Sequence, residues 1–337
     1  MKLKLLLFTI TALFLSNSFA GEARLLVWRP TPDSPAYILP QKSGETPQQA
    51  VERYRAFLFA GTGLAAVAPP TMFQNGEGEI VPLSESSEPR SLFVANYEKD
   101  HIDGSKRYRN FSSKITTTEN FLLPLGALGR LSKAERAQIH EQVADKFAGL
   151  ILMGGDDLDP KTYNEEVNGA RGFNIDRDNL EIELIRAYVA AGKGFVFGIC
   201  RGLQIVSAAL GLKMKYQDIP SQADSNIQHG DNFHENYQRK TTNGLLERFL
   251  GGAQPFTGYS WHHQAVGYVK NAYLELAAVG LDGITEALEF LNGKGLLIQF
   301  HAELMKSIKG RKITDGVSQM IKSTHEARAC RRTLLTQ

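Results

Sequence analysis

Cysteine is scarce in this 337-residue chain: only Cys200 and Cys330 are present, so no disulfide framework underlies its stability. A bridge between the two would silence any thiol chemistry. An excess of one charge sign is lacking too. Lys and Arg number 38 against 36 Asp and Glu, so nothing favours nucleic acid or an anionic membrane as partner. Internal repeats and low-complexity tracts are absent. What remains, 42% hydrophobic and 22% charged residues, is the make-up of an ordinary globular protein with a sizeable core.

The first twenty residues stand apart. Lys2 and Lys4 precede an apolar run from Leu5 to Phe14, and Ser18-Phe19-Ala20 places small residues at the −3 and −1 positions of a cleavage site. This reads as a secretory signal peptide, the run being well short of the ~20 residues a bilayer crossing needs. The expectation is an exported chain of residues 21–337, periplasmic in a Gram-negative bacterium and secreted otherwise. No cysteine follows the cleavage point, so no lipid anchor is expected. Loss of Lys2 and Lys4 takes the formal net charge from +2 to 0.

Along the rest of the chain, short apolar runs alternate with helical periodicity. Strands are expected at 23–28, 64–68, 149–153, 194–199, 274–279, 284–290 and 296–300. Helices are expected at 46–59, 132–147, 178–191, 202–210 and 315–335. Ser132 and Glu135 form a capping-box pattern, while Gly192 and Gly211 close their helices. Residues from about 71 to 130 show no dominant period and read as a partly irregular insertion into one domain spanning 21–337. The alternation predicts an α/β fold with a mainly parallel central sheet and helices on both faces, its site outside the carboxyl ends of the strands.

Gly198-Ile199-Cys200-Arg201-Gly202-Leu203-Gln204 carries the strongest chemical signal. A strand running directly into a helix, with glycine two residues either side of the cysteine, has the form of a nucleophile elbow. The helix N-terminus sets a positive dipole end beside the sulfur, and the Arg201 amide points where an oxyanion would develop. The plainer reading is a buried core cysteine. Gln299-Phe300-His301-Ala302-Glu303 follows another apolar strand and offers the imidazole and carboxylate a thiol nucleophile requires. A surface His–carboxylate pair is the competing reading. Gly154-Gly155 after a strand frees backbone amides for a substrate oxygen, or simply makes a turn. Ser260-Trp261-His262-His263-Gln264 contains adjacent histidines without cysteine or carboxylate partners at zinc-like spacing, so no metal is expected there.

Taken together, these segments resemble the peptidase C26 family of class I glutamine amidotransferase-like proteins, which includes γ-glutamyl hydrolases and γ-glutamyl-γ-aminobutyrate hydrolases. The likeness runs from Gly149 to Glu303, through 154–160, Arg177-Asp178, 198–204, 260–266, Asp282-Gly283 and Glu286-Ala287. It implies a flavodoxin-like fold, Cys200 as nucleophile, His301 as base then acid, and Glu303 as its orienter. It also implies oxyanion donors at the Gly155 and Arg201 amides, and Gln204, Ser260 and His262 near a bound glutamyl group. No cofactor is implied, and the partner is a γ-glutamyl small molecule or peptide. The chain departs from the family pattern at Ala302, where proline is usual, which loosens the expected positioning of Glu303. Two other readings stay open: a binding protein on this fold that has lost turnover, and a protease acting on ordinary peptide bonds.

Overall fold

The computed structural model describes residues 22–30, 34–60, 78–95 and 108–335. The signal-peptide segment and the strand expected at 64–68 lie outside them. Fourteen strands are present among the described residues. They are β1 (Arg24–Arg29), β2 (Tyr37–Gln41), β3 (Glu79–Pro82), β4 (Arg90–Ala95), β5 (Glu119–Pro124), β6 (Gly149–Leu152) and β7 (Phe195–Ile199) in the first part. The second part adds β8 (Lys213–Tyr216), β9 (Asn232–Gln238), β10 (Phe256–Ser260), β11 (Ala265–Gly267), β12 (Leu274–Gly280), β13 (Thr285–Phe290) and β14 (Gly295–Ile298). Twelve form one sheet in the order β10-β9-β12-β13-β14-β7-β6-β4-β5-β2-β1-β3, and β8 pairs with β11 apart from it.

Six adjacent strands, β14-β7-β6-β4-β5-β2, are parallel. The two wings beyond them are antiparallel. The parallel centre is buried on both faces, which is why its strands read as unbroken apolar runs. The main helices are α1 (Pro47–Ala60), α2 (Lys133–Lys146), α3 (Ile175–Ala191), α4 (Arg201–Ala209), α5 (Leu245–Leu250) and α6 (Ile308–Leu335). Ile139 and Val143 of α2, Ile185 and Tyr188 of α3, and Leu203 and Val206 of α4 share one core. Val51 and Tyr54 of α1, Leu245 of α5, and Ile313, Val317 and Ile321 of α6 share a second. The helices thus cover both faces. No described helix is long and apolar enough to cross a membrane.

Local chemistry sets the helix ends. Ser132 accepts from the Glu135 amide while the Glu135 carboxylate accepts from the Ser132 amide, the reciprocal capping box. Gly192 ends α3 at φ 61°, a left-handed conformation costly for a residue with a Cβ.

The segment 71–130, read as a partly irregular insertion, carries three strands of the sheet, β3, β4 and β5. Within it, β4 pairs with both β5 and β6 near the sheet's centre, and β3 forms one outer edge. Flanking polar stretches obscured the period of the six-residue strand RSLFVA, whose pairing partners are distant in sequence.

On α2, His140 is buried, with Nε2 lacking a hydrogen-bond partner. Burial pushes it down to about 4, against the pull of Glu183. Below pH ~6.5 the unfolded chain takes up a proton that the folded chain refuses, so stability falls with pH until ~4, by up to about 3 kcal/mol. Urea melts at pH 7, 5.5 and 4 should show this decline, and His140→Gln should lose most of it. Equal slopes in the two proteins would contradict the assignment.

Candidate active site

Three neighbouring parallel strands end together. Leu152 of β6 pairs with Gly198 of β7, and Ile199 with Ile298 of β14, so the residues that follow emerge at one sheet edge. Those residues are Gly154, Cys200 and His301, at the position where open α/β sheets place ligands.

Cys200 has φ 53° and ψ −109°, a backbone state that costs a non-glycine residue roughly 1–3 kcal/mol. Its amide donates to the Ile298 carbonyl at 2.8 Å, and its carbonyl accepts from the amides of Leu203 and Gln204. The turn is as tight as its glycines permit: a Cβ on Gly202 would stand 2.1 Å from the Leu152 carbonyl oxygen, and one on Gly198 2.7 Å from the Gly202 backbone. Both cysteines are free thiols, Cys200 buried and Cys330 exposed.

His301 Nδ1 lies 2.6 Å from Glu303 Oε1, and the same imidazole stands near enough to the Cys200 sulfur for the two to interact electrostatically. Burial opposes a charge on this ring, but the Glu303 carboxylate and the Cys200 sulfur outweigh it and hold the imidazolium well above its usual range. Gly154 packs against both partners, since a Cβ there would stand 3.2 Å from His301 Cε1 and 3.5 Å from Cys200 Cβ. Ala302 leaves the pair intact. The turn through it is closed by Leu304 N–H to His301 O at 3.1 Å and Met305 N–H to Ala302 O at 3.2 Å.

Behind the elbow, Arg201 is 1% exposed. It donates to Glu181 Oε2 at 2.6 Å and Asp178 Oδ1 at 2.5 Å. Burial alone would weaken that guanidinium's charge, and the two carboxylates reverse the shift. Asp178 Oδ2 also accepts the Asp159 amide at 2.7 Å, tying the glycine loop, α3 and the elbow together. Arg177, buried against Gly155, is drawn down to about 10 by burial and by Arg201.

A cleft of about 580 Å³ opens over Cys200 and His301, walled by Phe111, Met153, Gly155, Trp261 and Glu303 among others. Of the residues expected to bind substrate, Gln204, Ser260 and His262 are buried and none lines the cleft. Gln204 Nε2 donates to the Gln264 carbonyl at 3.3 Å and to Gln299 Oε1 at 3.4 Å. Ser260 and His262 turn inward while Trp261 between them, 56% exposed, faces out. All three thus stand behind the residues that line the cleft. Sequence reasoning missed Asn110 and Phe111 in the cleft wall and Lys114, whose ammonium donates to the Glu303 carbonyl. All three sit in the segment that had looked irregular.

A parallel sheet bearing a strained cysteine elbow, with a paired histidine and carboxylate on the neighbouring strand end, defines the class I glutamine amidotransferase-like superfamily. The Peptidase C26 family model matches residues 126–303, and the chain belongs to that family of hydrolase and amidotransferase-like enzymes. It is 30% identical over 182 residues to the glutamine amidotransferase-like protein YvdE of Lactococcus lactis, covering 51% of this chain and 72% of that one. A glutamine amidotransferase-type protein of Mycobacterium tuberculosis is 33% identical over 165 residues, 48% of this chain and 52% of that one, so the match spans about half of that relative. The fold is similar to the glutaminase domain of Trypanosoma brucei CTPS, with a TM-score of 0.52 at 12% identity, covering 71% of this chain and 94% of that one.

Proposed function

We propose that this protein is an exported cysteine hydrolase cleaving γ-glutamyl amide bonds. The observation that carries the reading is the Cys200–His301–Glu303 contact chain at the floor of an open cleft. The Cys200 thiolate attacks the γ-carbonyl carbon, and the developing oxyanion is met by the Gly155 and Arg201 amides. His301 gives its proton to the departing amine as the C–N bond breaks, leaving a γ-glutamyl thioester. It then takes a proton from water, whose oxygen displaces the sulfur and releases glutamate. Glu303 holds the ring's tautomer and steadies its charge. These steps require no cofactor.

Glutamate release by residues 21–337 from a panel of γ-glutamyl amides and peptides tests the chemistry. Release from at least one member, without cleavage of casein, supports it. No release from any member, with Cys200 inert to alkylation, removes it. Cell fractionation with N-terminal sequencing tests export: a chain beginning near Gly21 outside the cytoplasm supports it, and a full-length cytoplasmic chain removes that part.

A further inference from the structure

Away from the cleft, His229, His234, His262 and Glu286 converge in the interior, one potential ligand atom from each lying within 4.8 Å of all the others. Glu286 is fully buried. Its Oε1 is ringed by His229 Nδ1 at 3.3 Å, His234 Nε2 at 3.5 Å and His262 Nε2 at 3.8 Å. His229 Nδ1, His262 Nε2 and both Glu286 oxygens have no hydrogen-bond partner. Such orphaned groups in a dry interior are costly unless something between them accepts their electrons.

The outer nitrogens show what that something is. His229 Nε2 lies 2.8 Å from Asp282 Oδ2, His262 Nδ1 2.9 Å from the Gln264 carbonyl, and His234 Nδ1 3.3 Å from the Glu235 carbonyl. All three partners accept only, so each outer nitrogen carries a proton, and an ion that displaces any proton from the inner nitrogen finds its lone pair facing the carboxylate. An outer acceptor fixing the tautomer of an imidazole is the habitual support of a metal ligand. Asp282 is itself held by Ser225 Oγ at 2.5 Å and the Ile284 amide at 3.2 Å. Four ligands at about 2.0–2.1 Å from a tetrahedral ion lie about 3.3–3.4 Å apart, close to the spacing around Oε1.

We infer that His229, His234, His262 and Glu286 form a closed structural site for a divalent transition metal, with zinc matching the three-nitrogen, one-oxygen donor set. Ser260 Oγ, 2.7 Å from His234 Nε2, gives up that contact when the ion takes the lone pair. The site stands apart from the reaction but braces its wall. The His262 amide donates to the His229 carbonyl at 2.8 Å, the Gln299 amide to the Glu286 carbonyl at 2.8 Å, and the His301 amide to the Tyr259 carbonyl at 2.7 Å. The Trp261 carbonyl sits 3.7 Å from Cys200 Sγ. The pair His262-His263 lacked partners in sequence because antiparallel pairing of β9 with β10 supplies His234, and β13 supplies Glu286. His263 turns the other way, to Asp157 at 3.0 Å and Asp218 at 3.2 Å.

Elemental analysis of the untagged full chain after gel filtration should find about one zinc per chain, and Glu286→Gln and His229→Gln should lose it. One equivalent of zinc added to chelator-stripped protein should raise the melting temperature by roughly 5 °C or more. Cobalt in its place should give the intense visible bands of a tetrahedral centre. These last two readouts use the unmodified chain and stand even if the variants fail to fold. No retained zinc with an unchanged melting temperature would overturn the site and leave the cluster bridged by a proton. Zinc retained equally by folded variants would overturn it also, by placing the ion elsewhere.

Discussion

With Cys200 replaced by alanine, glutamate release should fall by about 10³-fold or more, leaving what binding and the oxyanion amides supply alone. Alanine keeps the elbow's volume nearly unchanged and removes only the sulfur, so the melting temperature should stay near that of the parent. Steady-state kcat/KM measured beside a thermal melt separates the two effects. His301→Ala should lose about as much as Cys200→Ala, and the double variant little more, because the groups act as one unit. Glu303→Gln should lower kcat by roughly 10²–10⁴-fold, since the amide can bond Nδ1 but cannot balance a charge on the ring. More than about a tenth of the parent rate in Cys200→Ala would refute the nucleophile assignment. Alkylation gives a second readout: buried Cys200, with an imidazolium held protonated beside it, should react faster at neutral pH than exposed Cys330.

The largest expected loss of stability belongs to Asp178→Ala. It strips Arg201 of one of its two carboxylates and leaves the Asp159 amide without an acceptor. Both groups are shielded from water, so none replaces the partner. Removing one member of a buried ion pair typically costs about 3–5 kcal/mol. Urea unfolding should show that shift, together with slower alkylation of Cys200 as the elbow loses its brace. Asp178→Asn keeps an acceptor for Asp159 and should fall between. A shift below about 1 kcal/mol for the alanine variant would mean that the pair is dispensable.

The features legible in the sequence are those whose cause is local. The capping box at Ser132, the left-handed glycine at 192 and the glycine-flanked elbow each arise within a few residues, and each is present where expected. The apolar strands β6, β7 and β14 were equally plain, because burial on both faces leaves an unbroken run. The rest depends on pairing across long separations. β9 reads Asn-Phe-His-Glu-Asn-Tyr-Gln, half-buried and largely polar, and is a strand only because β10 and β12 flank it. Lys114 reaches the site through a segment without period, and its bond to the Glu303 carbonyl spans 189 residues. Gln204, Ser260 and His262 sit beside the right motifs, but their orientation follows from how their segments pack, which spacing does not reveal.

The family match begins at residue 126, after five strands of the sheet, β1 to β5, have already passed. Just before that boundary lie β4 and β5, and β4 is hydrogen-bonded to β6 from Ser91 to Val94. A fragment cut to the matched region would leave β6, four fully buried residues, as an open edge with its amides and carbonyls bare. A flat apolar edge of that kind recruits other chains. The stretch that bears the sequence kinship therefore depends on β4, from outside it, to cover the edge of β6.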